Sequence, residues 1–149
     1  LGPRMLDTAG KYADGTITWM AGPKVLERDI VPKIQKSTQI SERPSPKILA
    51  GIPIAITNDI ERAKEAANKQ FSLYKRLPSY KRLLDLENAS CISDIAIIGN
   101  KTEVKKKLEQ YQIAGATEIL AMAFPVGTDH NQEISETWNI LSEIAKEIN

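Results

Sequence analysis

The 149-residue chain has one cysteine, Cys91, and one histidine, His130. A single thiol excludes an internal disulfide and any cysteine-cluster metal site. A single imidazole excludes the paired-histidine helix of zinc enzymes. Neither sign of charge prevails: twenty Lys and Arg face nineteen Asp and Glu, for a net charge of +1. No field therefore marks a nucleic-acid or anionic-membrane surface. No apolar run approaches the length that spans a bilayer, and no signal-peptide pattern is read. The expectation is a reduced, cytoplasmic protein that acts on a small molecule, with neither nucleic acid nor membrane as partner.

What is present suits one domain with a real core: 42% of the residues are hydrophobic and 26% charged. Two Gly-Pro pairs, Gly2-Pro3 and Gly22-Pro23, flank a strand-like run from Thr16 to Met20. Proline suits the first position of a helix, and a glycine before it lets another group approach the free N–H groups there. Two such starts around one strand suit a phosphate-bearing cofactor over the strand ends; they equally suit plain loop punctuation.

Along the chain, strands alternate with helices. The first helix is expected over Pro3 to Ala13, with Met5, Leu6, Ala9 and Ala13 on its inner face. The strand Thr16–Met20 leads to a helix opened by Gly22-Pro23, which Pro32 kinks or shortens. Ile48–Ile56 is a nearly continuous apolar run, as in a strand buried on both faces. Pro53 within it points to a bulge or a poorly paired neighbour. Asn58 with Glu61, and Asn100 with Glu103, have capping-box spacing. The first opens a helix carrying Ile60, Ala63, Ala67, Phe71 and Tyr74; the second opens one with Val104, Leu108 and Tyr111 inward. Ile95–Ile98 is a strand or a buried connector. Glu118 to Phe124 is the last strand, and the final helix, Gln132 to Ile148, aligns Ile134, Trp138, Leu141, Ala145 and Ile148. This pattern predicts βαβ units around about three parallel strands, too few for a finished α/β domain.

The motifs resemble the luciferase-like monooxygenase superfamily, and most closely its branch that uses the deazaflavin coenzyme F-420. The likeness lies in Leu1-Gly2-Pro3-Arg4-Met5, Ala13-Asp14-Gly15-Thr16 and Thr18-Trp19-Met20-Ala21-Gly22-Pro23. It continues in order through Ala50-Gly51-Ile52-Pro53, Thr57-Asn58-Asp59, Leu77-Pro78-Ser79-Tyr80, Ala114–Glu118 and Phe124-Pro125-Val126-Gly127. The resemblance implies the C-terminal half of a TIM barrel: one partial domain over residues 1–149, holding the last three βα units and the helix before them. The implied activity is flavin- or deazaflavin-dependent oxidation or reduction, with hydride passing between F-420, or alternatively FMN, and an organic substrate. It also implies a fragment incomplete for catalysis. The alternative is a non-catalytic half-barrel that assembles with an N-terminal half or forms a homo-oligomer.

In that resemblance Gly2, Pro3, Thr18, Trp19, Met20, Ala21 and Gly22 cradle the cofactor. Thr18 offers a hydroxyl, Trp19 or Met20 an apolar wall, and Gly22 close backbone approach. Arg4 adds a phosphate contact or is a solvated first-turn residue. Trp19 and Phe124 are site walls or core, while Trp138 is read as packing in the last helix. His130 follows the last strand, where a general acid could stand; Asp129 reads as an N-cap with Gln132 as its partner. The lysine run from Lys101 to Lys107 is a solvated helix face, and Cys91 lacks the histidine a nucleophile needs.

Overall fold

Lys47–Ile56 forms the strand, β2, around which the molecule is arranged. The computed structural model describes residues 2–148; Leu1 of the opening motif lies outside them. Helix α1 (Pro3–Tyr12) precedes strand β1 (Gly15–Trp19). Next come α2 (Pro23–Val25), a π-helical turn (Leu26–Ile30) and α3 (Val31–Ile40). After β2 the chain forms α4 (Ile60–Gln70), α5 (Ser72–Lys75) and α6 (Pro78–Glu87). A 3-10 turn (Ile92–Asp94) leads to β3 (Ile97–Gly99), then α7 (Lys101–Ile113), β4 (Glu118–Ala123) and α8 (His130–Ile148).

All the pairings are parallel, and β2 makes every one of them. The three long strands lie in the order β1-β2-β4, so units consecutive along the chain are neighbours in the sheet. The sheet has four strands rather than three, because Ile97–Gly99 pairs with the end of β2. That pairing resolves Ile95–Ile98 into a buried connector that ends in a short strand.

The hydrogen bonds explain Pro53. Odd residues of β2 face one edge: Lys47 donates to Asp14, the Gly51 carbonyl accepts from Met20, and Thr57 donates to Gly99. Even residues face β4: the Ile48 and Ile54 carbonyls accept from Thr117 and Phe124. On the odd edge, β1 pairs only as far as Gly51 and β3 starts at Ile54. Pro53 sits in the gap between them, where a donor would find no partner. The poorly paired neighbour is present, and no bulge is needed.

The helix after β1 is interrupted, as Pro32 predicts. The Val31 N–H reaches back five residues to the Leu26 carbonyl, and this wider turn precedes the proline. Thr16, Thr18, Ile48, Ala50, Ile52 and Ile54 are buried on one side of the sheet. The register puts Ile17, Leu49, Leu120 and Met122 together on the other side, where Ile17, Leu120 and Met122 are exposed.

Several local expectations shift. Met5 and Ala13 are exposed, and Leu6 with Gly10 forms the buried stripe of α1. Gly10 permits this, because α1 crosses α3 so closely that a Cβ there would meet Ser37 and the Ile34 carbonyl. Asp59, not Asn58, caps α4. The helix starts at His130, and its buried stripe is Thr137, Leu141 and Ile144; Ala145 is exposed and Trp138 is half exposed. The Asn100–Glu103 box forms in both directions, and Val104, Leu108 and Tyr111 are all buried.

Candidate functional site

The C-terminal ends of the strands carry a chain of aromatic rings. Trp19 closes β1 and Phe124 follows β4, while Phe71 joins them, 6.2 Å from one ring and 5.8 Å from the other. Tyr74 lies 6.1 Å from Trp19 and 4.8 Å from Tyr80. These edge-on and tilted geometries are the favoured ones for aromatic pairs. The segment from α4 to α6 brings Phe71, Tyr74 and Tyr80 over the strand ends. Trp19 lies on the same sheet side as Ile17 and above Gly51, where an added Cβ would stand 3.0 Å from its ring. The sheet side that carries the exposed Ile17, Leu120 and Met122 thus also carries Trp19, level with Leu120.

Trp19 Nε1 is buried with no hydrogen-bond partner, the single such side-chain atom among the described residues. A buried donor without an acceptor costs free energy unless something meets it. The donor lies at the strand ends, among the residues the sequence assigns to a cofactor.

The other assigned residues divide into two places. Met20, Ala21 and Gly22 form the turn after β1, all buried, with Met20 in the left-handed region at φ 54°. Thr18 is buried on the opposite side of the sheet, where its hydroxyl donates to the Leu49 carbonyl at 3.3 Å. Gly2 and Pro3 stand apart and exposed at the start of α1. A cavity of about 130 Å³ beside them is bordered by Lys33, Ser79 and Arg82.

Most turns that follow the strands already hold a carboxylate. At Gly22 the Val25 N–H donates to Glu87 Oε1 at 2.7 Å, and a Cβ on Gly22 would collide with that carboxylate. Asn100 N–H donates to Glu103. Val126 and Gly127 N–H groups both donate to Glu133, at 2.6 and 2.7 Å. Asp59 accepts from Arg62 N–H. By contrast, among the described residues no side chain caps α1 or α6, and none lies within 4 Å of where a Cβ on Gly2 would stand. These starts border the same cavity through Gly2 and Ser79. Sequence spacing reveals the Asn100–Glu103 contact, but the Glu87 contact joins residues 62 apart and leaves no local signal.

Charge follows environment. Burial pushes the Glu87 carboxyl up, only partly offset by the Val25 N–H and by Lys24. The Gly127 and Val126 N–H groups hold Glu133 low, with a further contribution from Arg62. Burial also raises the Tyr111 phenol. His130 is exposed at the start of α8, and Asp129 accepts from Gln132 N–H as an N-cap should. The Gln132 side chain bonds Glu136 instead of closing a box. Arg4 is exposed in the first turn of α1. Lys101 and Lys105 pair with Glu143 and Glu147, tying α7 to α8 at the surface. Among the described residues no group of side chains could hold a metal ion, and no helix is long and apolar enough to cross a membrane.

A family model described as luciferase-like monooxygenase matches residues 1–118. No curated protein matches the chain. Among solved structures, the chain is similar to the coenzyme F-420 dependent tetrahydromethanopterin reductase from Methanopyrus kandleri. Identity is 23% and the TM-score 0.69, over 89% of this chain and 46% of that one. It is similar to an F-420-dependent secondary alcohol dehydrogenase in complex with an F-420-acetone adduct, at 20% identity and TM-score 0.66, over 93% and 46% of the two chains. An EDTA monooxygenase from Chelativorans sp. BNC1 gives 12% identity and TM-score 0.64, over 98% and 43%. At these identities the likeness is one of fold. The chain spans less than half the length of each of these proteins, and its architecture is that of half a TIM barrel.

Proposed function

The chain belongs to the luciferase-like monooxygenase family, and from that premise we propose that it forms the cofactor-holding wall of a deazaflavin- or flavin-dependent oxidoreductase. The match over residues 1–118 carries this reading, because it contains every residue assigned to the cofactor. When bound, F-420 or FMN supplies the hydride chemistry; the chain's residues bind, orient and enclose it.

The residues fit such a group in two respects. The α1 start at Gly2-Pro3 has no side-chain cap among the described residues and lies close to Arg82, while Lys33 on the same cavity is paired with Asp29; the free N–H groups and Arg82 suit a phosphate-bearing tail. The Trp19 indole N–H, orphaned at the strand ends, suits a carbonyl or ring nitrogen of the bound group. Met20 and Trp19 form the apolar wall. Ala21 and Gly22 act through the backbone, Gly22 beside a carboxylate, while Thr18 supports the turn from within the sheet, its hydroxyl spent on the Leu49 carbonyl and its backbone paired with β2. The aromatic roof keeps water from the ring of the cofactor. The substrate is a small organic molecule that enters at the C-terminal ends of the strands.

Fluorescence titration with F-420 and with FMN tests the reading. Binding of one of them, weakened by Gly2→Val and by Trp19→Phe, is the expected result. Failure of both cofactors to bind, to the chain alone and to the barrel completed with its missing strands, overturns it.

A second reading has its own observation. The exposed side chains Ile17, Leu120 and Met122 form an apolar sheet face, and among the described residues the outer edges of β1 and β4 pair with no strand. On this reading the chain is a half-barrel subunit that a partner completes. A folded, monodisperse monomer that binds cofactor unaided counts against it.

A further inference from the structure

We propose that Glu87 is the positioning residue of this site: from the end of α6 its carboxylate holds the turn Met20–Ala21–Gly22 in the shape that presents Trp19 and Met20 to the cofactor. The inference rests on the cofactor reading above for its function and on geometry alone for the clamp.

The turn needs an external hold. Met20 leaves β1 with φ 54°, a region that side chains other than glycine rarely occupy, and it does so fully buried. Strain of this kind persists only where the surroundings over-determine it. One constraint is local: the Met20 N–H donates to the Gly51 carbonyl at 2.9 Å. The other comes from Glu87. Its Oε1 accepts from the Val25 N–H at 2.7 Å, its carboxylate fills the space a Cβ on Gly22 would take, and its own carbonyl accepts from Lys24 Nζ at 3.0 Å. The start of α2 is therefore held at both side-chain and backbone level by one residue of α6.

The carboxylate is costly where it sits. Glu87 is 9% exposed, and no ion pair with it is formed among the described residues. A purely structural strut could be apolar at less cost. A carboxylate is the group that meets backbone N–H groups at a helix start by a charge-assisted bond. Glycine at 22 completes the device, because any other residue would displace the carboxylate.

The test uses Trp138→Phe as background, leaving Trp19 as the only indole. Emission of Trp19, hydrogen exchange of the amides from Met20 to Val25, and the Kd for F-420 and FMN are measured for Glu87, Glu87→Gln and Glu87→Ala. Glu87→Ala is expected to shift the emission, speed exchange across the turn and weaken cofactor binding about tenfold, the worth of one hydrogen bond to a backbone N–H. Glu87→Gln, which keeps the acceptor and the shape, restores all three. If Glu87→Ala is too unstable to measure, Gly22→Ala gives the same changes by expelling the carboxylate. Unchanged emission and exchange in Glu87→Ala overturn the proposal, as does a Glu87→Gln variant no better than Glu87→Ala. Should the parent bind neither cofactor, the cofactor reading fails, while emission and exchange still decide whether Glu87 holds the turn.

Discussion

Two glutamates near the strand ends perform the same local task in opposite environments, and their pH behaviour should differ in sign. Glu87 is buried and its carboxyl is raised, so the folded chain binds that proton more tightly than the unfolded chain. Its contribution to stability is therefore greatest below the ordinary glutamate value of about 4.3 and declines as pH rises through the raised folded value. Lys24 and Arg28 on the helix it caps offset this, and Lys107 and Tyr111 line the cavity of about 230 Å³ at its flank. Glu133 is held low by the Gly127 and Val126 N–H groups. It stabilises the fold above the ordinary value and loses that effect as pH falls through its own depressed value. Melting curves from pH 3 to pH 8 should separate the two. Glu87→Gln is expected to melt higher than the parent at pH 7 and to lose that advantage as pH falls; Glu133→Gln should melt lower at pH 7 and approach the parent as pH falls through the depressed Glu133 value. Identical pH profiles for the two variants would show that burial and backbone donors do not set these charges.

Strand β2 shows how an apparent flaw in an element serves it. A proline in a central strand ordinarily costs a ladder bond, yet Pro53 faces the gap between β1 and β3 and is itself buried. Any other residue there would bring a buried N–H with no acceptor. Pro53→Val, although better suited to a strand by side-chain shape, should therefore destabilise the chain by about 1–3 kcal/mol, the cost of one unmet buried donor. Chemical denaturation checks this, and a neutral or stabilising valine would mean that the gap supplies a partner. The strand itself was legible from the apolar run, as were the Asn100–Glu103 box and the stripe of α7, because each depends on residues within a few positions of one another. The interruption at Pro32 was legible for the same reason. What escaped depends on distant partners. Glu87 finds Gly22 across 65 positions, Asp59 rather than Asn58 takes the cap through the exact path of the chain, and β3 exists only because β2 offers it an edge. Trp138 fits the stripe of a surface helix by period, yet it faces a groove of about 610 Å³ beside β4 and stays 49% exposed.

At the scale of the molecule, the bare sheet face is distinct from that groove, which Ile119 and Ala121 line on the helix-packed side of β4. A parallel strand set is stable when both of its faces are covered. Here helices cover one face, and the other is roofed only at the strand ends by Trp19, Phe71 and Phe124. On it lie Ile17, Leu120 and Met122, which are 60%, 49% and 41% exposed, Leu120 level with Trp19 and Met122 one step beyond it along the sheet. Apolar surface left there favours association, and parallel strand edges make that association directional. The chain spans 46% of the length of the F-420-dependent reductase it resembles, and on the half-barrel reading proposed above the remaining part of a barrel would cover this face. Leu120→Lys with Met122→Lys places two charges on the inner face and leaves the helix-packed face untouched. The double variant should keep its helical circular dichroism and run as a monomer in light scattering, whereas the parent associates with itself or with strands that complete the barrel. Cofactor affinity should fall with association if the completed barrel forms the second wall of the site. A parent that is monomeric at high concentration and takes up no completing strands would mean that this face tolerates water, and the half-barrel would then have to bind its cofactor with the wall from Gly2 to Gly22 alone.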